Sequence, residues 1–304
     1  MQQLHQRLGQ NTLTQGQSFT QTRQQLLRVL RSQNAPRTGT RQLAAQGASD
    51  TQQKYTLKTP GGGTYKVAAG EQFNVATAGA QALLRAGSGA FVSDKLATFK
   101  DRPAKPIQLF EFEGCPFCRK VREACSILDI DVEFFPCPKD GPTWRPQAIK
   151  ETGKSQFPYM KDPNTGRNML ESDAIISYLF EQYGDGEVPI QFKLGPLTTI
   201  TAGLAMLPRA GKGTQYRRSR LPKQPLEVWG YEASPYCKLA REVLVELELP
   251  HIYHSVARNS PRREAMTRKW NQFQVPYLED PNTMTAMFES NIIIDYLNQQ
   301  YALP

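Results

Sequence analysis

Two cysteines three residues apart, in Cys115-Pro116-Phe117-Cys118, are the residues of this 304-residue chain best suited to do chemistry. A thiolate is a strong nucleophile and a neutral thiol is not, so such a pair matters where something lowers the pKa of one sulfur. The apolar run 107–112 precedes the pair, and Val121, Ala124, Cys125 and Leu128 follow it at helical spacing. Gly114 ends the run, and Pro116 suits a first helical turn, where its missing N–H costs nothing. Cys115 is therefore expected at a helix N-cap, where unpaired backbone N–H groups and the helix dipole favour negative charge. That makes Cys115 the candidate nucleophile, with Arg119 and Lys120 adding positive charge nearby. Cys118, one turn later and more buried, is the candidate resolving thiol, able to attack a mixed disulfide at Cys115. A structural zinc would need four ligands, and the sequence has no second C-x-x-C and no His pair, so no metal is expected.

The other cysteines are Cys125, Cys137 and Cys237, and an odd total with one C-x-x-C is no disulfide framework. Cys125, seven residues after Cys118, reads as a small buried hydrophobe. Cys137, between two prolines, is expected in an exposed loop, as an oxidisable thiol or an ordinary loop residue. His251 and His254 have no clustered partner and read as structural. Trp144, Trp229 and Trp270 read as packing residues.

The elements that position these residues occur twice. Residues 107–183 and 226–301 align almost without gaps. Cys115-Pro116-Phe117-Cys118 matches Ser234-Pro235-Tyr236-Cys237, and Phe157-Pro158-Tyr159-Met160 matches Val275-Pro276-Tyr277-Leu278. Asp162-Pro163-Asn164-Thr165 matches Asp280-Pro281-Asn282-Thr283, and Glu171-Ser172-Asp173 matches Glu289-Ser290-Asn291. Upstream, 77–89 (TAGAQALLRAGSG) and 201–213 (TAGLAMLPRAGKG) agree at eight of thirteen positions. Each leader is expected to pack on its own module, with a membrane-surface or docking helix as the competing reading. Within the first copy, strands are expected at 107–112, 131–136, 157–160 and 167–170. Helices are expected from 116 to 128, around 142–152, and over 173–183 with Ser172 as N-cap. The second copy reads as strands 226–230 and 251–256, helices 235–249, 261–270 and 291–300 with Ser290 as cap, and a hairpin opened by Val275-Pro276. The order βαβαββα occurs in tandem, so the fold class is α/β with two domains. One spans 75–190 with its core at 105–185, and the other spans 199–304 with its core at 224–304.

Together these motifs resemble the thioredoxin fold. More narrowly, the chain resembles glutaredoxins and the N-terminal domain of glutathione transferases, in the tandem arrangement found in photosynthetic organisms. The resemblance covers about 75–304. It implies that Pro158 and Pro276 are cis, and that the backbone of Phe157 and Val275 pairs with the cysteinyl part of glutathione. It implies that Glu171-Ser172 and Glu289-Ser290 hold the γ-glutamyl end. Ser234 and Cys237 would face the same ligand in the second copy, where serine can hydrogen-bond a thiolate but cannot form a disulfide. Glutathione is thus expected as co-substrate, and a protein disulfide or glutathionylated protein as partner. A metal cluster bridged between two chains, as in some glutaredoxins, stays open.

The leading functional expectation is a glutathione-linked thiol–disulfide oxidoreductase acting through the first copy. A glutathione transferase ranks second, because that family adds a large helical domain and only about 40 residues separate the copies, with the sequence given ending at Pro304. A non-catalytic scaffold, with the modules packed as a pseudo-dimer, ranks third. Charge points the same way. Residues 1–70 hold nine Lys or Arg against one acid, Asp50, leaving 28 basic and 27 acidic residues elsewhere, so the body offers no nucleic-acid surface. Residues 1–60 read as a transit peptide or a disordered basic tail, with the stretch Arg23 to Arg31 able to form a basic amphipathic helix. A chloroplast is the expected location, with the mitochondrion as alternative. No apolar run reaches the roughly 20 residues of a transmembrane helix.

Overall fold

The structure is a computed structural model that describes residues 55–57, 69–205, 207–209 and 211–304. The segment 1–60 therefore lies outside the described residues except for 55–57. Thr56–Leu57 is a short strand, β1, and Ala69–Leu84 is a helix, α1. The first copy runs β2 (Ile107–Glu111), α2 (Pro116–Leu128), β3 (Val132–Pro136), α3 (Trp144–Thr152), β4 (Tyr159–Asp162), β5 (Arg167–Met169) and α4 (Ser172–Tyr183). Two short helices follow, α5 (Ile190–Lys193) and α6 (Pro196–Leu204). The second copy runs β6 (Leu226–Gly230), α7 (Pro235–Glu246), β7 (His251–Ser255), α8 (Arg262–Trp270), β8 (Tyr277–Asp280), β9 (Thr285–Phe288) and α9 (Ser290–Tyr301). Both copies are βαβαββα, the α/β arrangement that the sequence periodicity implies.

In each copy the first two strands are parallel and the hairpin adds antiparallel to the first. The two sheets then join through β3 and β7, which pair antiparallel with Val132 opposite Tyr253 and Phe134 opposite His251. Left alone, each would be a bare strand edge. The join is also aromatic, since the Phe134 ring lies 5.2 Å from the His251 ring and 5.9 Å from that of Tyr253. With β1 added beside β9, the sheet has nine strands among the described residues, in the order β1-β9-β8-β6-β7-β3-β2-β4-β5. Leu109, Val121, Met160 and Leu179 of one copy and Val228, Leu244, Leu278 and Leu297 of the other lie in one continuous buried core.

The leaders depart from expectation. α1 packs on α7 of the second copy, α6 packs on α2 of the first, and the two leaders touch each other. The arginine that ends each leader nevertheless reaches its own copy. Arg85 grips Glu123 of α2 at 3.0 and 2.7 Å, and Arg209 grips Glu242 of α7 at 2.8 and 2.6 Å. The arginine fixes one end at home while the helix body leans across onto the neighbouring copy. Ser172 and Ser290 also differ, occupying the first helical position rather than the cap. The caps are Glu171 and Glu289, at φ 70° and 73°, because the chain must turn sharply from hairpin to helix there. Helix α7 ends at Glu246 rather than 249, and the third strand of the first copy begins at Tyr159 rather than 157.

Candidate functional site

Cys115 sits at the N-cap of α2 with φ −99° and ψ 118°, an extended conformation that turns its sulfur back over the helix end. The sulfur accepts a hydrogen bond from the Cys118 N–H at 3.2 Å and lies 3.8 Å from the Phe157 carbonyl oxygen. Cys115 is 4% exposed and Cys118 is 0% exposed. Cys115 nevertheless borders a cleft of about 420 Å³, whose walls include Phe112, Phe117, Arg145, Gln156, Phe157, Glu171 and Ser172.

The two sulfurs are driven apart electrostatically. Burial acts to raise the Cys115 pKa, but hydrogen bonds from the Cys118 thiol and N–H outweigh it, so the thiol lies below its usual 9.0. Glu111 opposes the shift and Arg122 assists it. Cys118 is pushed well above 9.0, first by burial and then by the adjoining Cys115 sulfur. One sulfur is thus prepared to carry negative charge while the other holds its proton. The cation that helps Cys115 is Arg122. Arg119 and Lys120, expected in that role, are engaged with Glu123 at 3.0 Å and with Asp173 at 2.5 Å. Cys137 is a second correction: it is buried, not exposed, and burial pushes its thiol well above the usual value. Burial likewise pushes Cys125 up to about 12.

The proposed ligand cradle gathers only partly. Phe157, Glu171 and Ser172 line the Cys115 cleft, whereas Cys118 and Pro158 do not. The Phe157-Pro158 and Val275-Pro276 peptide bonds are both cis. Glu171 accepts a hydrogen bond from Gln156 at 2.5 Å. Arg145 escaped the sequence reading. Its guanidinium lies 5.3 Å from the Phe112 ring and 4.6 Å from the Phe157 ring, and donates to the carbonyls of Cys137 and Pro138. Arg263 repeats those carbonyl contacts on Val256 and Ala257, so an arginine shared by the two repeats was the available signal.

The second copy keeps the cap and changes what lies beneath it. The Ser234 hydroxyl accepts from the Cys237 N–H at 3.3 Å. Where the first copy has Glu111, the second has Gly230, and a Cβ there would collide with the Tyr253 hydroxyl and come within 2.8 Å of the Cys237 sulfur. Burial raises the Cys237 pKa. A cavity of about 370 Å³ between α1, α7 and α9 is lined by Ser290 but not by Ser234, Val275, Pro276 or Glu289.

Beneath both helix ends lies a buried ion network absent from the sequence reading. Glu113 of the first copy meets Lys238 at 2.5 Å and Arg241 at 3.1 Å, both from the second. Glu232 of the second meets Arg122 of the first at 3.1 Å and its own Arg241 at 2.8 Å. Arg122 also pairs with Glu111. Burial lifts Glu111 to about 7 against the pull of Arg122. Among the described residues no cluster of His, Cys, Asp and Glu is arranged to hold a metal ion.

A family profile, described as the glutathione S-transferase N-terminal domain, matches residues 109–187 and again 228–304. A solved glutathione transferase from Bombyx mori is 29% identical over 28% of this chain and 38% of its own, with a TM-score of 0.25. The match thus spans well under half of that transferase. No curated protein matches.

Proposed function

The chain belongs to the glutathione S-transferase N-terminal-domain family and carries the domain twice; on that premise we propose that its first copy is a glutathione-linked thiol–disulfide oxidoreductase. The observation that carries this reading is the split between the two sulfurs, with Cys115 lowered at a helix cap beside a cleft and Cys118 raised one turn later. The Cys115 thiolate attacks the glutathione sulfur of a glutathionylated protein. A Cys115–glutathione bond forms, the protein–glutathione bond breaks, and the protein leaves as a thiolate that takes a proton from water. The thiolate of a second glutathione then attacks the bound glutathione sulfur, releasing oxidised glutathione and restoring Cys115. On a protein disulfide, Cys115 forms the mixed disulfide and Cys118 gives up its proton to attack the Cys115 sulfur. The protein leaves reduced, and two glutathione molecules reduce the resulting Cys115–Cys118 bond.

Glutathione lies in the cleft with its cysteinyl part along the Phe157 backbone and its γ-glutamyl end at Glu171 and Ser172. The positive φ of Glu171, repeated at Glu289, supports this, since strained non-glycine backbone concentrates at ligand clamps. The second copy, with Ser234 and Cys237, is a degenerate glutathione-binding or structural copy. The continuous sheet and shared ion network support its role as a built-in dimer partner. The acid-poor first seventy residues support delivery to an organelle, and the resemblance to tandem proteins of photosynthetic organisms makes a chloroplast the proposed one, which a fluorescent fusion of residues 1–60 would test.

The test is glutathione-coupled reduction of a glutathionylated peptide and of a protein disulfide by the full chain. Cys115→Ser is expected to abolish both activities. Cys118→Ser is expected to keep the first and lose the second. Turnover by Cys115→Ser equal to that of the native chain would end the proposal.

A further inference from the structure

The two leader helices turn their large apolar side chains to solvent. A helix on a protein surface normally turns its polar side to water. On α1 the buried side carries the small Ala78, Gln81 and, just past the helix, Arg85, while Phe73 is 73% and Leu83 is 83% exposed and Leu84 also faces outward. On α6 the buried side carries Thr198 and the small Ala202, while Leu197, Ile200 and Leu204 are exposed, as is Leu207 in the turn beyond. Arg85 bonds Glu123 and Thr201, and the Gln81 carbonyl oxygen accepts from Arg119, whereas the buried Gln81 amide nitrogen has no hydrogen-bond partner among the described residues. Among the described residues nothing covers the outward apolar stripes. α1 and α6 touch each other and lie over α7 and α2, which puts the two stripes on neighbouring helices. Contiguous exposed apolar surface of this kind marks a docking site.

Charge identifies the occupant. From Val188 to Leu226 the chain has no Asp or Glu and seven Lys or Arg. Six of these seven, Lys193, Lys212, Arg217, Arg218, Arg220 and Lys223, are exposed. Two adjoin the stripes directly. Lys193 precedes the exposed Leu194, and the Lys212 ammonium donates at 3.1 Å to the side chain of Asn74, next to Phe73. α1 holds a single acid, Glu71, and α6 holds none. Exposed apolar residues with lysines beside them and Glu71 as the one acid of the two helices match the chemistry of an anionic lipid surface, where apolar side chains enter the acyl boundary and cations meet headgroups. Among the described residues no helix is long and apolar enough to cross a bilayer, so contact would be in the plane of the interface. We propose that α1 and α6 together dock this protein flat on an anionic lipid bilayer.

Flotation of the full chain with phosphatidylcholine vesicles, with and without phosphatidylglycerol, tests this. The expected result is flotation with the anionic vesicles only. The combined variant Leu83→Ser, Ile200→Ser, Leu204→Ser is expected to cut partitioning by at least about tenfold, because three apolar contacts with the acyl layer are lost. Its melting temperature should fall by no more than about a few degrees, since Leu83 is 83%, Ile200 56% and Leu204 47% exposed. Lys193→Glu with Lys212→Glu should weaken binding to anionic vesicles as well. Flotation of the serine variant equal to the native chain would overturn the proposal and move lipid contact to the basic first seventy residues. Equal binding to neutral vesicles, or no flotation at all, would overturn it too. So would self-association in sedimentation velocity that the serine variant abolishes, because the face would then join two copies of the chain.

Discussion

Replacing Glu113 by alanine removes the anion on which three buried cations converge. Its side chain is wholly buried and reaches Lys238 at 2.5 Å, Arg241 at 3.1 Å and Arg122 at 3.4 Å. An exposed ion pair is worth little, but removing one partner of a buried pair strands the other and costs about 3–5 kcal/mol. Relief is available here: Arg122 and Arg241 keep Glu232, and Lys238 can swing towards Glu242, now 3.7 Å away. That sets the expected loss at the lower end, about 3 kcal/mol. Because the cations come from both copies, one unfolding transition is expected rather than two. The assay is urea unfolding of the full chain, followed by the fluorescence of Trp144 in the first copy and of Trp229 and Trp270 in the second. The cations also hold Glu113 well below its usual 4.5, outweighing burial. On acidification the unfolded glutamate takes up a proton first, so this contribution is complete above about pH 4.5 and fades below it. The gap between native and variant should therefore narrow in acid. A loss under about 1 kcal/mol at neutral pH, or a gap that widens in acid, would refute the reasoning.

His254 bridges the copies, meeting Asp131 at 3.3 Å and Glu227 at 2.5 Å; burial lowers its pKa, but the two carboxylates win and lift it to about 9. Stability from this contact should be full below pH 6.5 and fall by on the order of 3 kcal/mol as pH rises through 9, and His254→Asn should flatten that slope in a pH series of unfolding curves. Gly230→Ala should cost about 1–3 kcal/mol through its collision with Tyr253, whereas Gly79→Ala on α1, where a Cβ meets nothing within 4 Å, should gain up to about 1 kcal/mol; thermal melts read both, and equal effects would contradict the packing described. Glu171→Gly should leave stability unchanged or higher by about 1 kcal/mol, because φ 70° suits glycine, while weakening glutathione binding in calorimetry; a loss in stability above about 1 kcal/mol would count against strain at that cap.

The repeat, the strand–cap–helix placement of Cys115 and the βαβαββα order were legible because they rest on local chemistry and short spacing. Pro116 and the apolar periodicity of 121–128 leave few other arrangements. The crossed leaders were not legible, since 77–89 and 201–213 agree at eight of thirteen positions and carry no mark of which copy each covers. The ion network was hidden for a related reason. Arg122 and Arg241 look like ordinary exposed helix charges, and only the joining of the two copies buries them against Glu232 and Glu113 of the opposite copy. Cys137 was misjudged because flanking prolines suggest a loop, whereas its backbone N–H bonds the Glu111 carbonyl and draws it into the core. The difference between Glu111 and Gly230 becomes meaningful only once Tyr253 is seen to fill the space.

Peptide-resolved alkylation of the full chain across a pH series reads the claim on which the chemistry depends. Cys115 should be modified before the other four cysteines, with a midpoint below the 9.0 of an ordinary thiol, while Cys118 stays protected beyond it. A Cys115 midpoint at or above 9.0, or earlier labelling of Cys118, would contradict the account.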